Sequence, residues 1–275
     1  MTRSVRRTRT LQVAGAGAAA LLALSGCSSA SSSDGSSSSG SGSATSSSGK
    51  VTGTVTVFAA ASLKESFTAL GKEFERQHPG TEVTFNFGGS DTLAASITGG
   101  APADVFAAAS AKTMKIVTDG KDTAGAPATF VRNQLEIATL PGNPDKISSL
   151  KDLTGSGLKV VLCDKAVPCG AAAQKALTAA GLQLTPVSYE QDVKSALNKV
   201  VLKEADAAVV YKTDVKAAGG KVEGVEFSEA AEAVNDYPIA LLDHGRDSAA
   251  AKAFIALVRS AEGQKVLTRA GFLKP

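Results

Sequence analysis

The period of the apolar positions changes repeatedly along the chain. From Val55 to Phe58 the residues are β-branched or aromatic and uncharged, which predicts a short buried strand. Ala59, Ala60, Ala61 and Ser62 follow. Leu63, Phe67, Leu70 and Phe74 then recur at spacings of 4, 3 and 4, the apolar stripe of a helix packed on one face. Ser62 falls where the N-cap of that helix belongs. Strand alternation returns at Glu82–Phe87, with Val83, Phe85 and Phe87 on one face. Gly88-Gly89-Ser90 turns the chain into a helix carrying Leu93 and Ile97, which Gly99-Gly100-Ala101-Pro102 ends. Asp104–Ala108 reads as a short strand, and Ser110 as the cap of a helix from Ala111 to Val117. Three strands alternating with three helices predict a doubly wound, mostly parallel sheet.

A second set of the same kind follows. Thr129-Phe130-Val131-Arg132 leads into a strand from Gln134 to Leu140. Ser149–Leu153 is expected as a short helix, Leu158–Leu162 as a strand and Cys163–Gly170 as a loop. An Ala-rich helix to Ala180 is stopped by Gly181. Pro186–Tyr189 predicts a strand, and Val193, Ala196, Leu197, Val200 and Val201 mark a helix. Ala207–Tyr211 is a buried strand and Val222–Phe227 another. Tyr237–Leu242 adds a strand, followed by helices Ser248–Arg259 and Glu262–Ala270, the last stopped by Gly271. These patterns predict an α/β protein of two lobes, residues 50–129 plus 237–275 and residues 130–236. Two segments, near Phe130 and Tyr237, cross between the lobes, which would let them close on a ligand.

The N-terminus is expected to serve targeting rather than folding. Arg3, Arg6, Arg7 and Arg9 precede an apolar run from Val13 to Leu24, too short to span a bilayer, and then Leu24-Ser25-Gly26-Cys27. That tetrapeptide resembles a bacterial lipobox, in which Cys27 would become the lipidated first residue, so residues 1–27 read as a lipoprotein signal. Residues 28–49 contain 14 Ser and 4 Gly and cannot bury enough apolar surface to fold. As a flexible tether they would reach roughly 25 Å. A domain held at the outer face of a membrane is the implied arrangement.

Removing the leader changes the charge. Of 29 basic residues four are its arginines, and none of the 26 acids lies in it, so the remainder carries 25 − 26 = −1. A basic surface for nucleic acid is therefore not indicated. Three cysteines are present, Cys27, Cys163 and Cys169. With Cys27 lipidated in an exported protein, Cys163 and Cys169 are expected to pair as a disulfide. His78 and His244 are the only histidines. No Cys/His metal spacing and no histidine-based triad can be assembled, which argues against an enzyme.

The strand ends carry the chemistry. A strand that passes into a helix through Ala and Ser leaves free backbone N–H groups and a hydroxyl beside a partial positive charge, a setting suited to anions. At this point a family resemblance emerges. Val57-Phe58-Ala59-Ala60-Ala61-Ser62-Leu63, Ser90 to Leu93, and Gly100-Ala101-Pro102-Ala103-Asp104-Val105-Phe106 occur in order. Val167-Pro168-Cys169-Gly170, Asp192-Val193, Val210-Tyr211 and Gly271-Phe272 complete the series. Together they resemble the molybdate-binding proteins of bacterial molybdenum ABC transporters, within the type 2 periplasmic-binding-protein fold.

The resemblance implies a tetrahedral oxyanion held between the lobes by hydroxyls and backbone N–H groups, with no cationic side chain and no cofactor. Carried over, the ligand shell is Ser62, Ser90, Cys169, Val193 and Tyr211. Cys169 stands where the family commonly has Ala; only its backbone N–H is needed. Charge-assisted hydrogen bonds contribute about 1.5–3 kcal/mol each, so six or seven could outweigh the desolvation of a dianion. Molybdate and tungstate fit a donor-only site, and sulfate is the alternative. The implied partners are an ABC-transporter permease, the membrane through Cys27, and the oxyanion itself, with a monomeric receptor. Asp91, Asp164 and Asp192 flank the proposed binding loops. A carboxylate facing a dianion would repel it, so these three are expected to point outward.

Overall fold

The computed structural model describes residues 51–246 and 248–275. The lipoprotein signal with Cys27, and the Ser/Gly tether, lie outside the described residues.

In chain order, β1 (Gly53–Ala60) passes through a 3-10 turn (Ala61–Leu63) into α1 (Lys64–Gln77). Next come β2 (Thr81–Gly88), α2 (Ser90–Thr98), β3 (Val105–Ala107) and α3 (Ala111–Asp119). After β4 (Ala128–Asn133) come β5 (Leu135–Thr139), a 3-10 turn (Asp152–Thr154) and β6 (Val160–Cys163). Then follow α4 (Pro168–Ala179), β7 (Ser188–Glu190), α5 (Val193–Val201), β8 (Ala207–Tyr211) and α6 (Lys212–Ala218). After β9 (Glu223–Val225) a 3-10 segment (Ser228–Ala233) leads into β10 (Asn235–Leu241), α7 (Ala249–Arg259) and α8 (Ala261–Ala270).

Two five-stranded sheets organise these elements, in the orders β2-β1-β3-β10-β4 and β7-β6-β8-β5-β9. In the first, β1 pairs in parallel with β2 and β3, whereas β10 is antiparallel to both β3 and β4. In the second, β6 is parallel to β7 and β8, whereas β5 is antiparallel to β8 and β9. The sheets are thus mixed rather than mostly parallel. The cause is the two crossings: β4 and β5 run on from one sheet into the other, and β10 returns to insert between β3 and β4.

The apolar pattern explains which faces are covered. On β1, Val55, Val57 and Ala59 face one way and meet the whole α1 stripe (Leu63, Phe67, Leu70 and Phe74), together with Phe254 of α7. Phe58 faces the other way, against Leu93 and Ile97 of α2 and Met114 and Val117 of α3. Each side chain so buried contributes about 1.5–3 kcal/mol of transfer free energy. The second sheet has its own core, built on Ile137, Val161, Val209, Ala176 and Leu197 among others.

The crossings lie a few residues inside the expected positions. Strand β4 runs to Asn133 and β10 begins at Asn235, and these two asparagines are paired in register. Gln134 alone separates β4 from β5. The register of β10 slips between Tyr237 and Pro238. A proline cannot donate to a ladder, and such irregularities re-aim the neighbouring side chain. Tyr237 is fully buried there, edge-on to Tyr211 at 6.0 Å between ring centroids and to Phe272 at 5.4 Å.

Candidate functional site

Ser62, Ser90, Cys169, Val193 and Tyr211 all line one pocket. Its wall is completed by Ala60 and Ala61, Gly88 and Gly89, Ala109, Val167 and Pro168, and Asp192. Strands β1 and β2 and the start of α2 supply the first lobe's part. The starts of α4 and α5 and the end of β8 supply the second's. The free space for a water-sized centre is about 20 Å³. That is a small space, on the scale of one water-sized body. Among the described residues the wall holds no Lys, Arg or His.

The donors come from helix starts. Ser90 is the first residue of α2, Cys169 the second of α4 and Val193 the first of α5. Amides in a helix's first turn have no intrahelical acceptor, and the dipole there favours negative charge. Pro168 opens α4 with its fixed φ. The loop expected over Cys163–Gly170 is therefore shorter, and Cys169 and Gly170 are helical. A Cβ at Gly170 would stand 1.9 Å from the Asp164 carbonyl oxygen, so only glycine lets α4 start this close to the preceding turn. Cys163 and Cys169 form a disulfide across that turn. At the junction of the lobes, a Cβ at Gly89 would lie 2.6 Å from the Gln191 carbonyl oxygen. Glycine is what allows α2 to meet the start of α5.

Ser62 does not cap α1 as expected. The chain makes a 3-10 turn first, α1 begins at Lys64, and Leu63 at its N-cap makes no side-chain hydrogen bond to it. The Ser62 hydroxyl is instead 2.8 Å from the Tyr237 hydroxyl. Ser90 Oγ accepts the Ala109 N–H at 3.0 Å, which leaves its own proton to donate. Tyr211 Oη accepts from Asn235 Nδ2 at 2.6 Å. Burial, together with the adjacent Tyr237, pushes the Tyr211 phenol well above its ordinary range. Burial also raises Tyr237, though Ser62 and Asn133 counter it. Both phenols are neutral donors at any physiological pH.

The three flanking carboxylates behave differently from one another. Asp164 is exposed and accepts the Ala166 N–H at 2.8 Å. Asp192 contributes to the wall, yet its carboxylate is turned back to cap α5, accepting from Ser195 N–H at 2.9 Å. Asp91 is not outside: its Oδ1 is buried with no hydrogen-bond partner among the described residues, although the residue does not line the pocket. His78 packs against Phe74 and His244 pairs with Asp104 at 3.2 Å, both away from the pocket.

Sequence reasoning missed the polar groups behind the wall. Asn133 is fully buried, and its Nδ2 donates to Thr213 Oγ1 at 2.9 Å and to Tyr237 Oη at 3.3 Å. Asn235 Nδ2 reaches Ala109 O at 2.9 Å and Pro168 O at 3.4 Å as well as Tyr211. The sequence marks Tyr237 as a strand start and a crossing between the lobes, not as a polar group behind the wall. The available signal was asparagine in strand-forming surroundings, a residue depleted from strands unless it has a partner there. A second missed group joins the lobes: Lys194 of α5 pairs with Glu65 of α1 at 2.8 Å and with buried Asp214 of α6 at 3.1 Å. Burial works against the Lys194 charge, but Asp214 and Glu65 outweigh it and raise its pKa. Burial raises the Asp214 carboxyl to about 6 despite Lys194.

Two mixed α/β lobes enclosing a small, donor-lined pocket define a receptor for a small solute. Residues 55–273 match the family of bacterial extracellular solute-binding proteins. The chain belongs to that family, in its branch of molybdate-binding proteins. It is 45% identical over 222 residues to the molybdate-binding protein ModA of Mycobacterium tuberculosis, covering 81% of this chain and 85% of that one. The ModA of Escherichia coli is 32% identical over 231 residues, covering 80% and 89%. The periplasmic molybdate-binding protein of Azotobacter vinelandii shares the fold, with a TM-score of 0.70 at 20% identity over 80% of this chain and 99% of that chain.

Proposed function

We propose that this protein is an exported receptor that binds molybdate, and tungstate with it, between its lobes and delivers the ion to an ABC-transporter permease for import. The observation that carries this reading is the pocket wall: first-turn backbone amides and three hydroxyls converge on a space for one small ion, with no cationic side chain. Such a wall favours an anion that needs donors only. Monohydrogen phosphate brings a proton that asks for an acceptor, and so is disfavoured. The likeness to molybdate-binding relatives supports the choice of ion. In this reading Ser62, Ser90 and Tyr211 donate hydroxyl protons, and Cys169 and Val193 donate backbone N–H groups. Cys27 carries a lipid that holds the monomeric receptor at the outer face of the cytoplasmic membrane. The narrowness of the pocket keeps one alternative in play, that sulfate, the smaller ion, is the preferred ligand.

Calorimetric titration of the ligand-stripped protein with molybdate, tungstate, sulfate and phosphate tests this. Submicromolar binding of molybdate and tungstate with little sulfate response is expected. Preference for sulfate would move the assignment to the alternative, and no response to any oxyanion would remove it.

A further inference from the structure

The protons of the pocket hydroxyls have directions that can be worked out from the groups behind them. Asn235 Nδ2 faces two carbonyl oxygens, Ala109 O at 2.9 Å and Pro168 O at 3.4 Å. Carbonyls only accept, so this atom is the amide nitrogen and not the oxygen. Toward Tyr211 Oη, 2.6 Å away, it can only donate. The Tyr211 proton is therefore left for the pocket or for the neighbouring Tyr237 oxygen.

The same logic applies to Asn133. Its Oδ1 accepts the Gln134 backbone N–H at 3.0 Å, which identifies Nδ2 as the atom facing Tyr237 Oη at 3.3 Å. The Tyr237 oxygen is thus supplied with one donor. Between Tyr237 Oη and Ser62 Oγ, 2.8 Å apart, either hydroxyl can donate. With Tyr237 donating, Ser62 accepts and turns its own proton into the pocket it lines. For Ser90 the Ala109 N–H does the equivalent work. For Ser62 so arranged, and for Ser90, the lone pair on the protein side is occupied and the proton is left over; the Tyr211 proton is shared between the pocket and Tyr237.

We propose that Asn235, Asn133 and Tyr237 are positioning residues that determine specificity: acting through Tyr211 and Ser62, they set the wall as donors and so select oxyanions that carry no proton. This rests on the reading of the site as an oxyanion pocket. The chain of bonds has an economy of place, because Asn133 and Asn235 are register partners on the two strands that cross between the lobes.

Two variants test it. Tyr237→Phe keeps the ring that packs on Tyr211 and Phe272 but removes the proton given to Ser62. Asn235→Ala removes the donor behind Tyr211. Affinities for molybdate and for hydrogen phosphate are measured by calorimetric titration and competition, with thermal unfolding of each variant as the check on folding. Each variant should lose about tenfold in molybdate affinity, the scale of one hydrogen bond to a charged group. The ratio of molybdate to hydrogen phosphate affinity should also narrow about tenfold, because a freed lone pair can accept the phosphate proton. A residue with a merely structural role would weaken both anions alike and leave the ratio unchanged. An unchanged ratio in both folded variants overturns this proposal alone, whereas absence of oxyanion binding by the wild type overturns the reading of the site.

Discussion

The two walls of the pocket differ in how many of their proposed donors are side chains. In the first lobe, Ser62 and Ser90 both offer hydroxyls, and each is tied to a named partner behind it. In the second, Tyr211 alone offers a hydroxyl, and Cys169 and Val193 stand at helix starts where only the backbone is required. A hydroxyl donor depends on residue identity. A helix-start amide depends on where the helix begins, and so on Pro168, Gly170 and the Asp192 cap. A cysteine can therefore stand in the pocket wall without offering a thiol, since its sulfur is spent on Cys163.

Substitutions should separate the two walls. The largest effect is expected for Ser90→Ala. It removes a hydroxyl donor and leaves the buried Ala109 N–H without its acceptor. Molybdate affinity should fall about 100-fold and stability by about 1–3 kcal/mol, read by titration and by denaturant unfolding. An affinity within threefold of wild type would place the ion elsewhere.

Next comes the ion group that bridges the walls from outside the pocket. The folded state binds the Asp214 proton more tightly than the unfolded chain, because its pKa is raised from 3.8 to about 6. Its contribution to stability is therefore fullest below pH 4 and is lost as pH rises through about 6. The shift of about two units corresponds to about 3 kcal/mol. Unfolding free energies of wild type and Asp214→Asn, compared from pH 4 to pH 7, should diverge by that order in that window. Parallel profiles would show that Asp214 keeps an ordinary carboxylate pKa.

The second wall should respond less. Replacing both Cys163 and Cys169 by alanine should cost about 2 kcal/mol of stability, the closure of a short loop, and leave affinity within a few-fold of wild type. A loss as large as that of Ser90→Ala would mean that the disulfide itself places the Cys169 amide. The smallest effect is expected for Val193→Ala. It should leave binding within about twofold while costing about 1–2 kcal/mol for two buried methyl groups. Titration and thermal unfolding of the same samples distinguish the two.

The same contrast decides what was legible in the sequence. The apolar stripe of α1 and the alternation of β2 place their elements within a few residues, because a helix or strand face must be buried at its own period. All five candidate residues meet in one pocket, because strand-to-helix junctions of both lobes point toward the cleft. Three features were not legible. The 3-10 turn moves Ser62 off the cap, and its hydroxyl meets Tyr237, 175 residues away. Strand β4 reads as a connector because its partners, β10 and the Leu273 backbone, come from the far end of the chain. Helix α6 follows β8 without an intervening turn residue, and its one local start signal is Asp214, which accepts the Tyr211 backbone N–H at 3.2 Å. Asn133, Asn235 and Lys194 gain meaning only from contacts that cross between elements, and no spacing records those.

Gln134 is the only residue between the strands of the two sheets on the first crossing, and its N–H is held by the Asn133 side chain. The link between the sheets and the group behind Ser62 therefore share one side chain, Asn133, whose oxygen holds the Gln134 N–H and whose nitrogen faces the Tyr237 hydroxyl.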